Sequence, residues 1–254
     1  MSSGAAPRRR AGASEQKDCL ASIDVFVLAG GLGTRIRPVL GDLPKVLAPI
    51  GGQPYLAHLL DWFRRFGARR VILGLGHRAS AVADYLREHP AADLEISFTI
   101  EPEPLGTAGA LRFARSRLLT DPVLVVNGDT LVSADLCALV ARHFEARASG
   151  TILCTEVEHA GRYGRVALDE RGHIGCFIEK DPAFGGRAVI NAGVYLLSAA
   201  LLDQIARAKA ASLEQGVFER LPAGSLAALT GPFPFIDIGT PESLALTRGS
   251  AVIP

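Results

Sequence analysis

From Ile23 to about residue 150, short apolar runs alternate with stretches whose apolar residues recur at helical spacing. Ile23-Asp24-Val25-Phe26-Val27 reads as a buried strand, and Leu56, Leu59, Leu60 and Phe63 fall on one face of a helix. Val71-Ile72-Leu73, a helix ending near Glu88, the strand Leu94–Ile100 and a helical stretch from Thr107 to Arg117 follow. Val123-Leu124-Val125-Val126 is the next strand, and Leu136, Leu139, Val140 and Phe144 mark the helix after it. Continuous apolar strands separated by amphipathic helices require a parallel sheet covered on both faces.

The second half changes character. Arg165–Leu168 and Ile174–Glu179 flank Asp169-Glu170-Arg171-Gly172 and read as an antiparallel hairpin, and Val189–Leu197 is a further strand. Ser212-Leu213-Glu214-Gln215 has the capping pattern of a short helix, and Thr240-Pro241 opens another. No Pro/Gly/Ser-rich linker separates the halves. The expectation is a single α/β domain over residues 22–254, preceded by a disordered Ser/Gly/Ala/Arg-rich tail over residues 1–21.

Hydrophobic residues make up 48% of 254, enough for a full core. No apolar stretch reaches the ~20 residues of a membrane-spanning helix. A net charge of +1 gives no broad basic field for nucleic acid or an anionic membrane. Cys19, Cys137, Cys154 and Cys176 lack paired zinc spacing and read as separate thiols in a reducing cytoplasm.

In such sheets ligands bind beyond the carboxyl ends of the strands, and the informative loops fall there. The first is Leu28-Ala29-Gly30-Gly31-Leu32-Gly33-Thr34-Arg35-Ile36-Arg37-Pro38. Its glycines let backbone N–H groups approach a bulky anion, and Thr34, Arg35 and Arg37 add donors, so the loop reads as a phosphate cradle. It lacks the Gly-Lys-Ser/Thr of an ATPase loop and the glycine spacing of a dinucleotide fingerprint. Lys45 follows, between Pro44 and Pro49 in a rigid apolar segment.

Glu101-Pro102-Glu103-Pro104-Leu105-Gly106-Thr107 joins a strand to a helix. Its acidic residues would repel phosphate, so a base or sugar is the neighbour that fits. A carboxylate only accepts, and guanine offers two adjacent donors, N1–H and N2–H; the glutamates are equally readable as solvated loop residues. Asp129, in Asn127-Gly128-Asp129-Thr130, and Asp237, in Ile236-Asp237-Ile238-Gly239, stand at strand ends. Each alone is an ordinary cap or turn residue. As a pair beside a phosphate loop they match the one or two carboxylates that magnesium takes.

These motifs, in this order, resemble the sugar-1-phosphate nucleotidyltransferases from about Ile23 to Leu246. The match continues through Phe177-Ile178-Glu179-Lys180, Asn191-Ala192-Gly193-Val194-Tyr195 and Asp237-Ile238-Gly239-Thr240-Pro241. The resemblance implies a Rossmann-like three-layer α/β fold: a mixed, mainly parallel sheet with a small antiparallel sugar-binding lobe. It implies that Leu28, Ala29, Gly30, Gly31, Gly33 and Thr34 hold the triphosphate, with Glu101, Pro104, Gly106 and Thr107 toward the base. Arg35 and Lys45 would act on the phosphates, Asp129 and Asp237 would bind Mg2+, and Gly164, Glu179, Lys180, Asn191 and Gly193 would hold the sugar phosphate.

Asp181 departs from the family pattern, standing where many members have proline. The ending Phe235-Ile236-Asp237 and Ser212-Leu213-Glu214 are most similar to heptose-1-phosphate guanylyltransferases. The implied reaction joins GTP and a sugar 1-phosphate into GDP-sugar and pyrophosphate, in the cytoplasm, for surface polysaccharide biosynthesis. No nucleic acid or membrane partner is expected, and a homo-oligomer is left open. Mannose-1-phosphate guanylyl transfer and uridylyl transfer to an amino-sugar phosphate are the alternatives, with a non-catalytic nucleotide-sugar sensor behind them.

Overall fold

Strand β1 (Asp24–Ala29) is flanked by two parallel neighbours, β4 (Arg70–Leu75) and β6 (Val123–Asn127), and its carboxyl end opens into the glycine loop. The computed structural model describes residues 17–247. Between β1 and β4 come α1 (Arg37–Leu40), the two-residue strands β2 (Pro49–Ile50) and β3 (Gln53–Pro54), and α2 (Tyr55–Arg65). Then follow α3 (Ala79–Glu88), β5 (Glu95–Ile100) and α4 (Gly106–Ala114). After β6 the chain forms β7 (Thr130–Val132), α5 (Leu136–Ala146) and β8 (Gly150–Val157). The hairpin β9 (Arg165–Leu168) and β10 (Ile174–Ile178) precedes β11 (Ala188–Leu197), α6 (Ala199–Arg207) and α7 (Leu213–Gly216). Strands β12 (Leu226–Gly231) and β13 (Phe235–Asp237) lead to α8 (Pro241–Leu246).

The main sheet runs β10-β9-β11-β6-β1-β4-β5, with β8 pairing β11 and β12. β6, β1, β4 and β5 are mutually parallel, whereas β11 is antiparallel to both β6 and β8. This is the expected mixed α/β architecture with an antiparallel lobe. Strand alternation splits the core between the two faces. Val25 and Val27 pack with Leu56, Leu59, Leu60 and Phe63 of α2 and with Leu136 and Leu139 of α5. Phe26 faces the other way, against Ala108 and Leu111 of α4 and Leu201 and Ile205 of α6. Each fully buried leucine or phenylalanine here contributes about 1.5–3 kcal/mol relative to exposure.

Three expectations change. Phe144 is 60% exposed; the inward face of α5 is completed by His143, whose ring pairs with Thr151 Oγ1 at 3.0 Å. Apolar spacing cannot register a histidine that finds a buried hydroxyl. Residues 17–21 belong to the folded body rather than to a tail, because Leu20 is fully buried in the α2 side of the core. The rest of the expected tail, residues 1–16, lies outside the described residues. Cys19 and Cys137 are not separate thiols but a disulfide, with Cα atoms 5.4 Å apart across 118 residues. The fold lays the segment before β1 beside the first turn of α5, where Lys17 also pairs with Asp135. Cys154 is a free thiol whose burial pushes its pKa up to about 12, and Cys176 is free and exposed.

Candidate active site

Two cavities of about 440 Å3 each open at the carboxyl ends of the parallel strands. They meet at Arg35, Asn127 and Asp129, which line both. The first is walled by the glycine loop: Leu28, Ala29, Gly30, Gly31, Gly33 and Thr34 all line it. Lys45 closes one side, and Glu101, Pro104, Gly106 and Thr107 close the other. Every residue expected to hold the nucleotide therefore stands on this cavity.

Lys45 begins a single 3-10 turn after Pro44, flanked by buried Val46 and Leu47. That anchoring aims its ammonium inward, where Nζ donates to Asp129 Oδ2 at 2.8 Å. Its side chain is 15% exposed against 36% for Asp129, so the pair is sheltered but reachable. Glu101 continues β5 and is only 8% exposed. Its Oε2 accepts the Leu105 N–H at 3.1 Å, and its other oxygen lies so close to Gly30 that a Cβ there would sit 2.7 Å away. Burial raises the Glu101 carboxyl above its ordinary range, an effect the Leu105 N–H offsets only in part.

Asp129 and Asp237 are brought together by the β7–β13 pair, in which Asp237 is opposite Thr130 and Ile238 N–H donates to Asp129 O at 2.9 Å. One oxygen of each carboxylate is engaged, by Lys45 and by the Gly239 N–H at 2.6 Å respectively, which leaves the second of each for a cation. Among the described residues no group of three or more His, Cys, Asp or Glu is gathered as for a fully protein-ligated metal. Two carboxylates suit Mg2+, which keeps water and phosphate oxygens as its remaining ligands.

The second cavity is lined by Gly164, Glu179, Lys180 and Asn191, four of the five residues that the resemblance assigns to the sugar phosphate, and also by Asp237. Gly193 does not line it. It sits at a register shift between Asn191 and Val194 in β11 with φ +74°, and a Cβ there would lie 2.5 Å from Asn127 Nδ2. Its N–H donates to Asn191 Oδ1 at 2.9 Å, so Gly193 shapes the backbone that presents Asn191.

Several lining residues were not singled out from sequence for this site: Asn127, Tyr163, Tyr195, Glu214 and Gln215. Glu214 is the hub. Its Oε1 accepts from Tyr195 Oη at 2.8 Å and Asn191 Nδ2 at 3.3 Å, and its Oε2 accepts from Ser212 Oγ at 3.1 Å. Burial, reinforced by the Glu214 charge, raises the Tyr195 phenol well above its usual value, so it stays a neutral donor. Gln215 donates to Glu179, tying α7 to the Glu179-Lys180 corner. The Ser-x-Glu spacing after α6 is a visible signal for Glu214, and Asn127 stands two residues ahead of Asp129. No helix of the described residues is long and apolar enough to cross a membrane.

The nucleotidyl transferase family model matches residues 25–247. The mannose-1-phosphate guanylyltransferase of Mycobacterium tuberculosis is 35% identical over 234 residues, covering 90% of this chain and 64% of that protein. The D-glycero-alpha-D-manno-heptose 1-phosphate guanylyltransferase of Campylobacter jejuni is 30% identical, covering 87% of this chain and 96% of that protein. The crystal structure of HddC from Yersinia pseudotuberculosis complexed with GMP-PN superposes with a TM-score of 0.79 at 32% identity, covering 89% of this chain and 97% of that one. The chain spans about three fifths of the length of the mannose-1-phosphate guanylyltransferases it matches. With a glycine loop, a lysine and two strand-end aspartates converging on paired cavities, and a family model spanning nearly all described residues, the chain belongs to the nucleotidyl transferase family.

Proposed function

We propose that the protein transfers a guanylyl group from GTP to a sugar 1-phosphate, giving a GDP-sugar and pyrophosphate. The observation that carries this reading is the pair of equal cavities meeting at Arg35, Asn127 and Asp129. A triphosphate laid along the glycine loop and a sugar phosphate beside Lys180 would bring their reacting ends to that junction. An oxygen of the sugar phosphate attacks the α-phosphorus in line; the new P–O bond forms as the bond to the β-phosphate oxygen breaks, and pyrophosphate departs. A phosphate monoester is mostly dianionic at pH 7, so the attack requires no general base.

Arg35 and Lys45 neutralise charge on the triphosphate, and Lys180 holds the incoming phosphate, so catalysis is positioning plus electrostatics. Asp129 and Asp237 would hold Mg2+, which when bound supplies further charge neutralisation at the phosphates. The buried Glu101 acceptor favours guanine, whose N1–H and N2–H are adjacent donors. For the sugar, D-glycero-α-D-manno-heptose 1-phosphate is the substrate we assign. Its support is that the Campylobacter guanylyltransferase and Yersinia HddC match along nearly their whole lengths. The role this reading implies is nucleotide-sugar supply for capsule or lipopolysaccharide.

A matrix of GTP, ATP, UTP, CTP and dTTP against heptose, mannose, glucose and N-acetylglucosamine 1-phosphates tests this, read as pyrophosphate release with Mg2+ present. Highest turnover is expected for GTP with the heptose. Preference for mannose would revise the sugar, preference for UTP would overturn the base, and inactivity throughout would overturn the transfer itself.

A further inference from the structure

Helix α4 connects the two cavities mechanically. Its first residues close the base side of the nucleotide cavity, and four of its hydrogen bonds hold the segment that leads into α7. Arg112 Nη1 donates to Ala208 O at 2.9 Å and to Ala210 O at 3.1 Å. Ala108 N–H donates to Ala211 O at 2.9 Å, and Thr107 Oγ1 accepts the Leu213 N–H at 2.9 Å. The next residues, Glu214 and Gln215, are the ones that fix Asn191, Tyr195 and Glu179 in the second cavity.

We propose that Thr107 and Arg112 are positioning residues for the sugar phosphate, acting through α7, although they stand on the helix of the nucleotide side. The inference rests on the reading of the second cavity as the sugar-phosphate site. Thr107 lines the nucleotide cavity, but its hydroxyl accepts a bond from the α7 backbone. Arg112 lines neither cavity. Loss of either leaves backbone groups of the strut without their partner, and the wall carrying Glu214 and Gln215 shifts. A sub-ångström shift is enough to disturb a constellation of hydroxyl-binding groups.

The test is steady-state kinetics of wild type, Arg112→Met, Thr107→Val and Thr107→Ser, varying GTP and the best sugar 1-phosphate separately. Arg112→Met keeps an apolar stem but no donor. It is expected to raise the sugar-phosphate KM about fivefold to tenfold while kcat and the GTP KM stay within about twofold. Thr107→Val is expected to raise the sugar-phosphate KM more than the GTP KM, and Thr107→Ser to restore it. An unchanged sugar-phosphate KM in Arg112→Met, an equal rise in both KM values, or no rescue by serine would each overturn the inference while leaving guanylyl transfer standing. A wild type inactive on every sugar 1-phosphate would instead overturn the reading on which the inference rests, and the inference with it.

Discussion

Lys45 and Asp129, 84 residues apart in sequence, meet as a 2.8 Å ion pair at the junction of the two cavities. The pair fixes both groups at the place where phosphate charge would gather. It also holds each in readiness: an arriving phosphate competes for the ammonium, and a cation competes for the carboxylate.

Asp129→Ala is therefore expected to lower kcat at least about 100-fold at any ordinary magnesium concentration, the scale of losing one preorganised charge contact. Pyrophosphate release measured across a magnesium titration checks this. Near-normal turnover would remove Asp129 from the reacting centre.

Glu101→Gln is expected to weaken GTP use relative to UTP or dTTP, because an amide both donates and accepts whereas guanine presents two donors. The pH dependence gives a second readout. Burial raises the Glu101 pKa above 4.5, so the folded protein retains a proton that the unfolded chain releases. Stability then falls as pH rises through the window between 4.5 and the raised folded value, and the cost persists above it. Glu101→Gln removes that cost, so the unliganded variant should melt higher than wild type above the window and equally below it. GTP affinity of wild type should fall more steeply than that of the variant as pH drops through the same window.

Asp24, the first residue of β1, is 3% exposed and accepts from Arg70 Nη1 at 2.8 Å and from the Leu119 N–H at 2.6 Å. Asp24→Ala would strand the Leu119 N–H and leave Arg70 with Glu95 and the Arg117 carbonyl as its partners, and is expected to destabilise by about 1–3 kcal/mol, the scale of one unsatisfied buried donor. Denaturant unfolding measures it. Asp24 lines neither cavity, so KM values of the folded fraction should be unchanged.

Cys19→Ser is expected to lower stability by about 2–4 kcal/mol, the usual scale for loss of a disulfide, here one that spans 118 residues. In a chain of this size that corresponds to a melting temperature lower by roughly 4–16 °C. Cys176→Ser, at an exposed free thiol, should leave the melting temperature in place. Equal melting of wild type with and without reductant would contradict the bridge.

What was legible in the sequence was local or periodic. Thr240 forms a reciprocal box with Ser243, whereas at Ser212 only half of the expected box forms: the Gln215 N–H donates to Ser212 Oγ, but the Gln215 side chain turns to Glu179 instead. The β9–β10 hairpin flanks its expected turn, and the nucleotide residues line one cavity because they lie at or follow the carboxyl ends of β1 and β5, parallel strands with only β4 between them. What was not legible depends on distant partners. Cys19 has no local sign of Cys137. The inward turn of His143 needs Thr151, and Gly193 is required by the Asn127 side chain from another strand. Glu214 was visible as a cap-region acid, but its grip on Asn191 and Tyr195 exists only once α7 is seated on α4.

The most direct test of the account uses heptose 1-phosphate labelled with oxygen-18 in its three non-bridging phosphate oxygens, incubated with unlabelled GTP and Mg2+. Attack by a sugar-phosphate oxygen on the α-phosphorus predicts GDP-heptose carrying the label in its β-phosphate and in the oxygen bridging the α- and β-phosphorus, with unlabelled pyrophosphate. Labelled pyrophosphate, or GTP cleaved without label entering a nucleotide-sugar, would contradict it.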